Sequence, residues 1–396
     1  VSLDPRLRYA DGNQVATQQW VFTTGDDEGQ HFAFGPPTTL GDHGFIKSVL
    51  AHGTGVVVVW AGPGGLRVSS SSDGDSFQVS KPLSHPVGGD GVEEVDARII
   101  NGVLHVAWRT LHGSTAHVLY AHSTGAPDEM SDPLLLTDMT DLPATSPTVT
   151  SDGQGTVYVA WRESCLCGDD DQGIHLRASY DGGESFEAPV GVFDSTLWSP
   201  ALAWVDGGLL AAWQVRSELR LVDALDDFTP LVTLGETGGR HWPFRMLETD
   251  SGGAMLLWRE GPGIGATVHF LGRVERRDDQ KPWLRELARE PDDRTDACTQ
   301  MGVGASADVL LMISTGQLFG DADRTLRLST DGGETLGPPQ TLRFLLDWSA
   351  GDAPSDSFCP RVAIDDERTA YLAWEHSDRG YEPRIARGAP SAPCSY

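Results

Sequence analysis

One phrase recurs along the chain: an apolar strand, a tight Gly or Asp turn, and a second strand that ends in Trp. Its clearest copies are SPTVTSDGQGTVYVAW, from Ser146 to Trp161, and SPALAWVDGGLLAAW, from Ser199 to Trp213. Further copies end at Trp60, Trp108, Trp258 and Trp374, and DVLLMI places Met312 where a seventh Trp would stand. The strand segments are β-branched and aliphatic, five to seven residues long, and bounded by Gly, Asp, Asn and Pro. Successive copies lie 45 to 62 residues apart, room for four short strands and their turns. This predicts an all-β chain: a single seven-bladed β-propeller of four-stranded blades over residues 1–396, with six blades as the alternative. The repeats begin near residues 44, 94, 146, 199, 242, 297 and 359. The last repeat has two clear strands and a third around Ile385 but no fourth, so strands within residues 1–40, in QQWVFTT and HFAFG, are expected to close the last blade. WLRELARE, Trp283 to Glu290, is the one stretch able to form a short helix.

The third and fourth strands of several units are joined by a Ser-Asp-Gly turn. SYDGGESF, Ser179 to Phe186, is the fullest copy; STDGGETL, Ser329 to Leu336, has Leu for the aromatic, and SSDGDSF, Ser71 to Phe77, is one residue shorter. In such a turn Asp accepts amide hydrogen bonds, Gly takes positive φ and the aromatic packs back between strands, a folding device and not a catalytic one. These turns, with the Val-Ala-Trp-Arg strand ends, resemble the sialidase-like (Asp-box, or BNR-repeat) propeller superfamily over almost the whole chain. The resemblance implies the propeller fold and a site on the face where first strands start and second strands end. For true sialidases it further implies an arginine triad, a Tyr nucleophile paired with Glu, an Asp acid/base and an N-terminal Phe/Tyr-Arg-Ile-Pro motif. The nearest sequence to that motif is PFRM, Pro243 to Met246, in mid-chain, and the one Tyr-Glu pair near the C-terminus is Tyr381-Glu382.

Mapped on the repeat, His43, Glu94, Asp96, Trp198, His241, Trp242, Asp296, Cys298, Asp356 and Cys359 precede or open first strands. Arg109, Arg162, Glu163, Arg259, Glu260, Glu375 and His376 follow second strands. Together they predict a mouth suited to an anionic or hydroxylated ligand. Glu94, Asp96, Glu163, Glu260, Asp296 and Asp356 are the carboxylates from which a glycosidase pair can be drawn. Arg109, Arg162, Arg259, Trp198, Trp242 and His376 are the expected ligand-binding residues. In the repeated Trp-Arg-Glu, Arg162-Glu163 and Arg259-Glu260 also fit as salt bridges between blades, and the repeated Trp as inter-blade core. His241, Cys298 and Cys359 reach equivalent positions in successive blades, so they suit copper or zinc, against a Cys298–Cys359 disulfide or two free thiols. Cys165-Leu-Cys167 leads into Asp169, Asp170 and Asp171, either a calcium or metal loop or a solvated acidic one.

The chain carries 57 acidic and 29 basic residues, a net charge of -28, and three lysines, Lys47, Lys81 and Lys281. That balance disfavours nucleic acid and anionic membrane surfaces as partners. The longest apolar run, Val56 to Ala61, is strand-sized, so no membrane span is expected. Five cysteines, an odd number, and a start at Val1 are read as fitting a secreted or periplasmic protein. The functional expectation is an exported propeller that binds or hydrolyses a glycan. The alternatives are a metal-dependent oxidoreductase and a non-catalytic scaffold for a protein partner.

Overall fold

A computed structural model describes residues 31–391 except 84–90, 113–114, 138–142, 164–172, 193–198, 216–217, 226–229, 237–244, 250–252, 261–266, 277–281, 293–297, 304–309, 316–323, 334, 343–359, 366 and 377–380. The described residues form antiparallel strands and turns, with no helix among them. The strands fall into seven separate sheets in chain order, six of four strands and one of five. The first sheet holds Phe45–His52, Gly55–Gly62, Gly65–Ser71 and Gln78–Val79, and the second Gly91–Ile100, Val103–His112, Thr115–His122 and Leu134–Leu135. The third holds Ala144–Ser151, Val157–Glu163, Gly173–Ser179 and Val190–Val192, and the fourth Ala201–Val205, Gly208–Val215, Glu218–Asp223 and Pro230–Glu236. The fifth comprises Arg245–Glu248, Ala254–Glu260, Thr267–Arg276 and Pro282–Asp292, and the sixth Cys298–Val303, Leu310–Thr315, Arg324–Ser329 and Gln340–Thr341. The seventh pairs Arg361–Ile364, Ala370–His376 and Glu382–Ser391 with His31–Phe34 and Thr38–Thr39 from the other end of the chain. The QQWVFTT segment lies outside the described residues.

The arrangement is propeller-like, and strand alternation explains it. A strand buried on both faces reads as a continuous apolar run whose odd and even residues serve different neighbours. In the run Val56 to Trp60, Val57 and Val59 pack with the second sheet, whereas Val56, Val58 and Trp60 pack with the seventh. Each buried cluster lies between two successive sheets in this way, and one of them joins the seventh to the first. The tryptophans share one role: Trp60, Trp108, Trp161, Trp213, Trp258 and Trp374 are all buried, each against the preceding sheet. Trp60 is further fixed by an indole N–H donated to Ser69 Oγ at 2.9 Å, and Gly44 and Gly62 lie so close to its ring that a Cβ would collide with it.

The Ser-Asp-Gly turns share one geometry. Ser179 Oγ donates to Asp181 at 2.7 Å and accepts from Gly183 N, while Asp181 accepts from Ser185 N at 2.9 Å. The turns at Ser329 and Ser71 repeat the pattern with Asp331 and Asp73. These hydrogen bonds to the ionised form hold the carboxyls of Asp73 and Asp181 at about 2. Phe186 then packs edge-on against Tyr120 of the second sheet, 5.0 Å between ring centres.

One expectation is corrected. WLRELARE lies within the strand Pro282–Asp292, paired along its length with Thr267–Arg276. The helix-forming residues yield because the fifth sheet needs a fourth strand, and tertiary pairing overrides local propensity.

Candidate functional site

The first strands of the sheets line a single cavity of about 310 Å³. All seven sheets contribute: Val49, Arg98, Ser151, Trp204, Arg245, Met301 and Ala363. The lining includes Gly53, Asn101, Asp152 and Thr249, where first strands turn into second strands. The cavity therefore belongs to the hairpin side of the axis, and it reaches inward as far as Arg245.

Register explains which side chains meet there. The residue opposite the position before each Trp is Ser48, Asp96, Thr148, Ala201, Arg245 and Arg361 in the first, second, third, fourth, fifth and seventh sheets. These residues occupy one level, and polar contacts link them around the axis. Thr148 Oγ1 donates to Asp96 at 2.9 Å and Val149 N at 3.1 Å, while Arg245 Nη2 contacts Ser48 Oγ at 3.4 Å. Arg361 Nε donates to the carbonyl of Lys47 at 3.2 Å.

Arg98, two residues beyond Asp96, has a side chain only 5% exposed and bridges the second and fifth sheets. It pairs with Asp96 at 2.9 Å, approaches Glu248 at 3.7 Å and donates to the Met246 carbonyl at 2.7 Å. Glu248 also accepts from Thr150 Oγ1 and from Trp204 N. Trp204 lines the cavity with a ring stacked on Tyr158, 5.9 Å between centres and 10° apart.

Two cations, Arg98 and Arg245, line the cavity, and two more, Arg361 and Lys47, lie beside each other outside its lining. Burial and then Arg98 push Arg245 down to about 10, with Arg361 adding to this and Asp96 opposing it. Burial also lowers Arg361 and Lys47. Two of the facing carboxyls move toward their neutral forms: burial raises Glu248 against the pull of Arg98, and raises Glu375 to about 7 against that of Arg361. Desolvation disfavours the charged form of each of these groups. The cavity itself is lined by two guanidiniums, Arg98 and Arg245, and by three carboxyls, Asp152, Glu248 and Asp365. The guanidiniums can take an acidic group and the carboxyls can accept from hydroxyls, so a ligand bearing both suits the cavity.

Of the residues expected at the mouth, Glu94 and Glu375 both act on Lys47, and Glu94 also acts on Arg162. Arg109 is ion-paired with Glu93. Glu94 is exposed and accepts from Ser146 N at 2.5 Å, close enough to Arg162 to offset in part the burial that lowers that guanidinium. Glu163 is buried, accepts the indole N–H of Trp161 at 2.8 Å and meets His175 at 3.2 Å, so it braces its own sheet. Asp96 joins the axial network, and Glu375 faces Arg361 beside it. Arg259, Glu260 and His376 sit at second-strand ends, opposite His269, Val268 and Glu382. Cys298 opens the first strand of the sixth sheet. His43 is exposed. Trp198, His241, Trp242, Asp296, Asp356, Cys359, Cys165, Cys167 and Asp169, Asp170 and Asp171 lie outside the described residues. Among the described residues no group of three or more His, Cys, Asp or Glu is placed to hold a metal ion. Nor is any helix long and apolar enough to cross a membrane. The rings of Tyr381 and Phe45 lie 4.9 Å apart, tilted by 35°, while Glu382 faces Arg384 at 2.9 Å.

Arg98, Arg245, Glu248 and Trp204 were the residues that motif reading passed over. The arginines left a signal: each stands within a first strand, Arg98 in GVEEVDARII and Arg245 at the start of RMLE.

No protein family and no curated protein matches the chain. Solved structures that share the fold include two with a TM-score of 0.52. A protein of unknown function from Dyadobacter fermentans is 12% identical, over 92% of this chain and 99% of that one. A polysaccharide lyase PL25, an ulvan lyase bound to GlcA(1-4)Rha3S, is 13% identical, over 88% of this chain and 95% of that one.

Proposed function

We propose that the protein is a closed, exported propeller of seven blades that binds a glycan, holding an acidic sugar residue in the axial cavity. The observation that carries this reading is the pair of buried guanidiniums, Arg98 and Arg245, beside the ring of Trp204 in a cavity built from all seven sheets. Guanidinium groups grip a carboxylate or sulfate by charge-assisted hydrogen bonds, and an indole face packs on a sugar ring. The seven-membered cycle of inter-sheet clusters supports closure, and export suits a ligand found outside cells. That the ulvan lyase was solved with GlcA(1-4)Rha3S agrees with an acidic ligand. Sialic acids and uronates both satisfy this chemistry, so the likeness of the Ser-Asp-Gly turns to those of sialidase-like propellers falls within it.

Calorimetric titration with glucuronate, sialic acid, sulfated sugars and their neutral counterparts tests the reading. Acidic sugars are expected to bind and neutral ones to fail. Arg245→Gln, which relieves repulsion with Arg98 and Arg361, should preserve the fold and weaken binding at least tenfold. Equal affinity for neutral sugars, or no binding at all, would overturn it. Glu248, held toward its protonated form, has the character of a general acid. Turnover of chromogenic glycosides that vanishes in Glu248→Gln would extend the reading from binding to hydrolysis.

A further inference from the structure

Resting on the axial reading above, a second feature of the hairpin face identifies the class of glycan. Tyr180 is 70% exposed, the most exposed of the large apolar side chains described. It sits in the Ser179 turn, whose ring of hydrogen bonds fixes the backbone on either side of it. That turn is tied to the cavity rim: Gly182 N donates to the carbonyl of Gly155 at 2.8 Å, and Gly155 belongs to the same hairpin as the rim residues Asp152 and Gly153. Tyr180 also lies close enough to Tyr158 to act on its hydroxyl, and Tyr158 in turn stacks on Trp204. Three aromatic residues therefore run from the exposed turn to the cavity wall. An exposed ring on a rigid turn loses little side-chain entropy when it is covered, which is why such rings recur where extended ligands bind.

We propose that Tyr180 forms an outer subsite, and that the ligand is an acidic polysaccharide chain running from the axial cavity over the rim of the third sheet. A terminal or free sugar acid would fill the cavity alone; a chain would also cover Tyr180.

The test is the length dependence of binding. Titration of the whole protein with oligouronates of one to six residues should show affinity rising at least tenfold with length. Tyr180→Ala should flatten that rise, its loss growing with chain length, and Tyr180→Phe should restore it because the ring is retained. Length-independent affinity, or a Tyr180→Ala protein with the full length dependence, would overturn the outer subsite. The two readings fail separately: loss in Arg245→Gln without loss in Tyr180→Ala keeps the axial site alone, and the reverse keeps the aromatic subsite alone. If no oligouronate binds, the polysaccharide reading is wrong, and the axial reading is decided by the titrations with sialic acid and sulfated sugars.

Discussion

At the scale of single residues, Glu375 shows what the axis does to an acid. Its carboxylate accepts the amide of Ile46 at 2.7 Å and faces Arg361 and Lys47, yet burial outweighs them and lifts it to about 7. In the unfolded chain the group releases its proton near the ordinary glutamate value, so between that value and about 7 the folded state binds more protons. Stability must therefore fall as pH rises through that window. Glu375→Gln keeps an acceptor for Ile46 and removes the titration; denaturant midpoints measured at pH 5 and pH 8 should converge in the variant relative to the parent. The residues of this axis were the least legible part of the sequence. Lys47, Arg98, Arg245 and Arg361 are scattered over more than 300 residues of chain; Arg245 and Arg361 share one register position, whereas Lys47 falls in a bulge and Arg98 lies two residues beyond Asp96. Reading by motif looked for chemistry toward the strand ends, as at Glu94 and Arg109, and took strand interiors for core.

At the scale of the element, the turn after Ser179 was legible to the residue, because its hydrogen bonds are local and its glycines must take positive φ. What the sequence concealed is that two adjacent glycines differ in their surroundings. Gly182 has φ of 81° and open space at its Cβ position, whereas Gly183 has φ of 101° and a Cβ would come within 2.3 Å of the Tyr120 hydroxyl. Gly182→Ala should cost about 1 kcal/mol of backbone strain. Gly183→Ala should cost roughly 3 kcal/mol or more, since it also pushes the turn off the second sheet. Urea denaturation of the two variants side by side measures the difference. The strand Pro282–Asp292 failed as a sequence reading for the opposite reason: nothing local marks it, and pairing with Thr267–Arg276 decides its form.

At the scale of the whole molecule, the repeat was legible because each Trp fills the same inter-sheet space. The seventh sheet is where the two ends of the described chain meet. Phe32 and Phe34 are each 2% exposed, in the cluster between the sixth and seventh sheets, and Phe32 exchanges hydrogen bonds with the side chain of Gln340. Removing residues 1–34 would forfeit about 1.5–3 kcal/mol of apolar burial per phenylalanine. It would also uncover the edge of Glu382–Ser391. The truncated protein is expected to aggregate, read by size-exclusion chromatography against the full chain. The same pairing sets a clock on biosynthesis. Phe32 leaves the ribosome 308 residues before its partner Gln340, a wait of roughly 15–60 s at ordinary elongation rates. For that interval an apolar strand has no sheet to join, so nascent chains should depend on whatever shields that strand until the last sheet has been made.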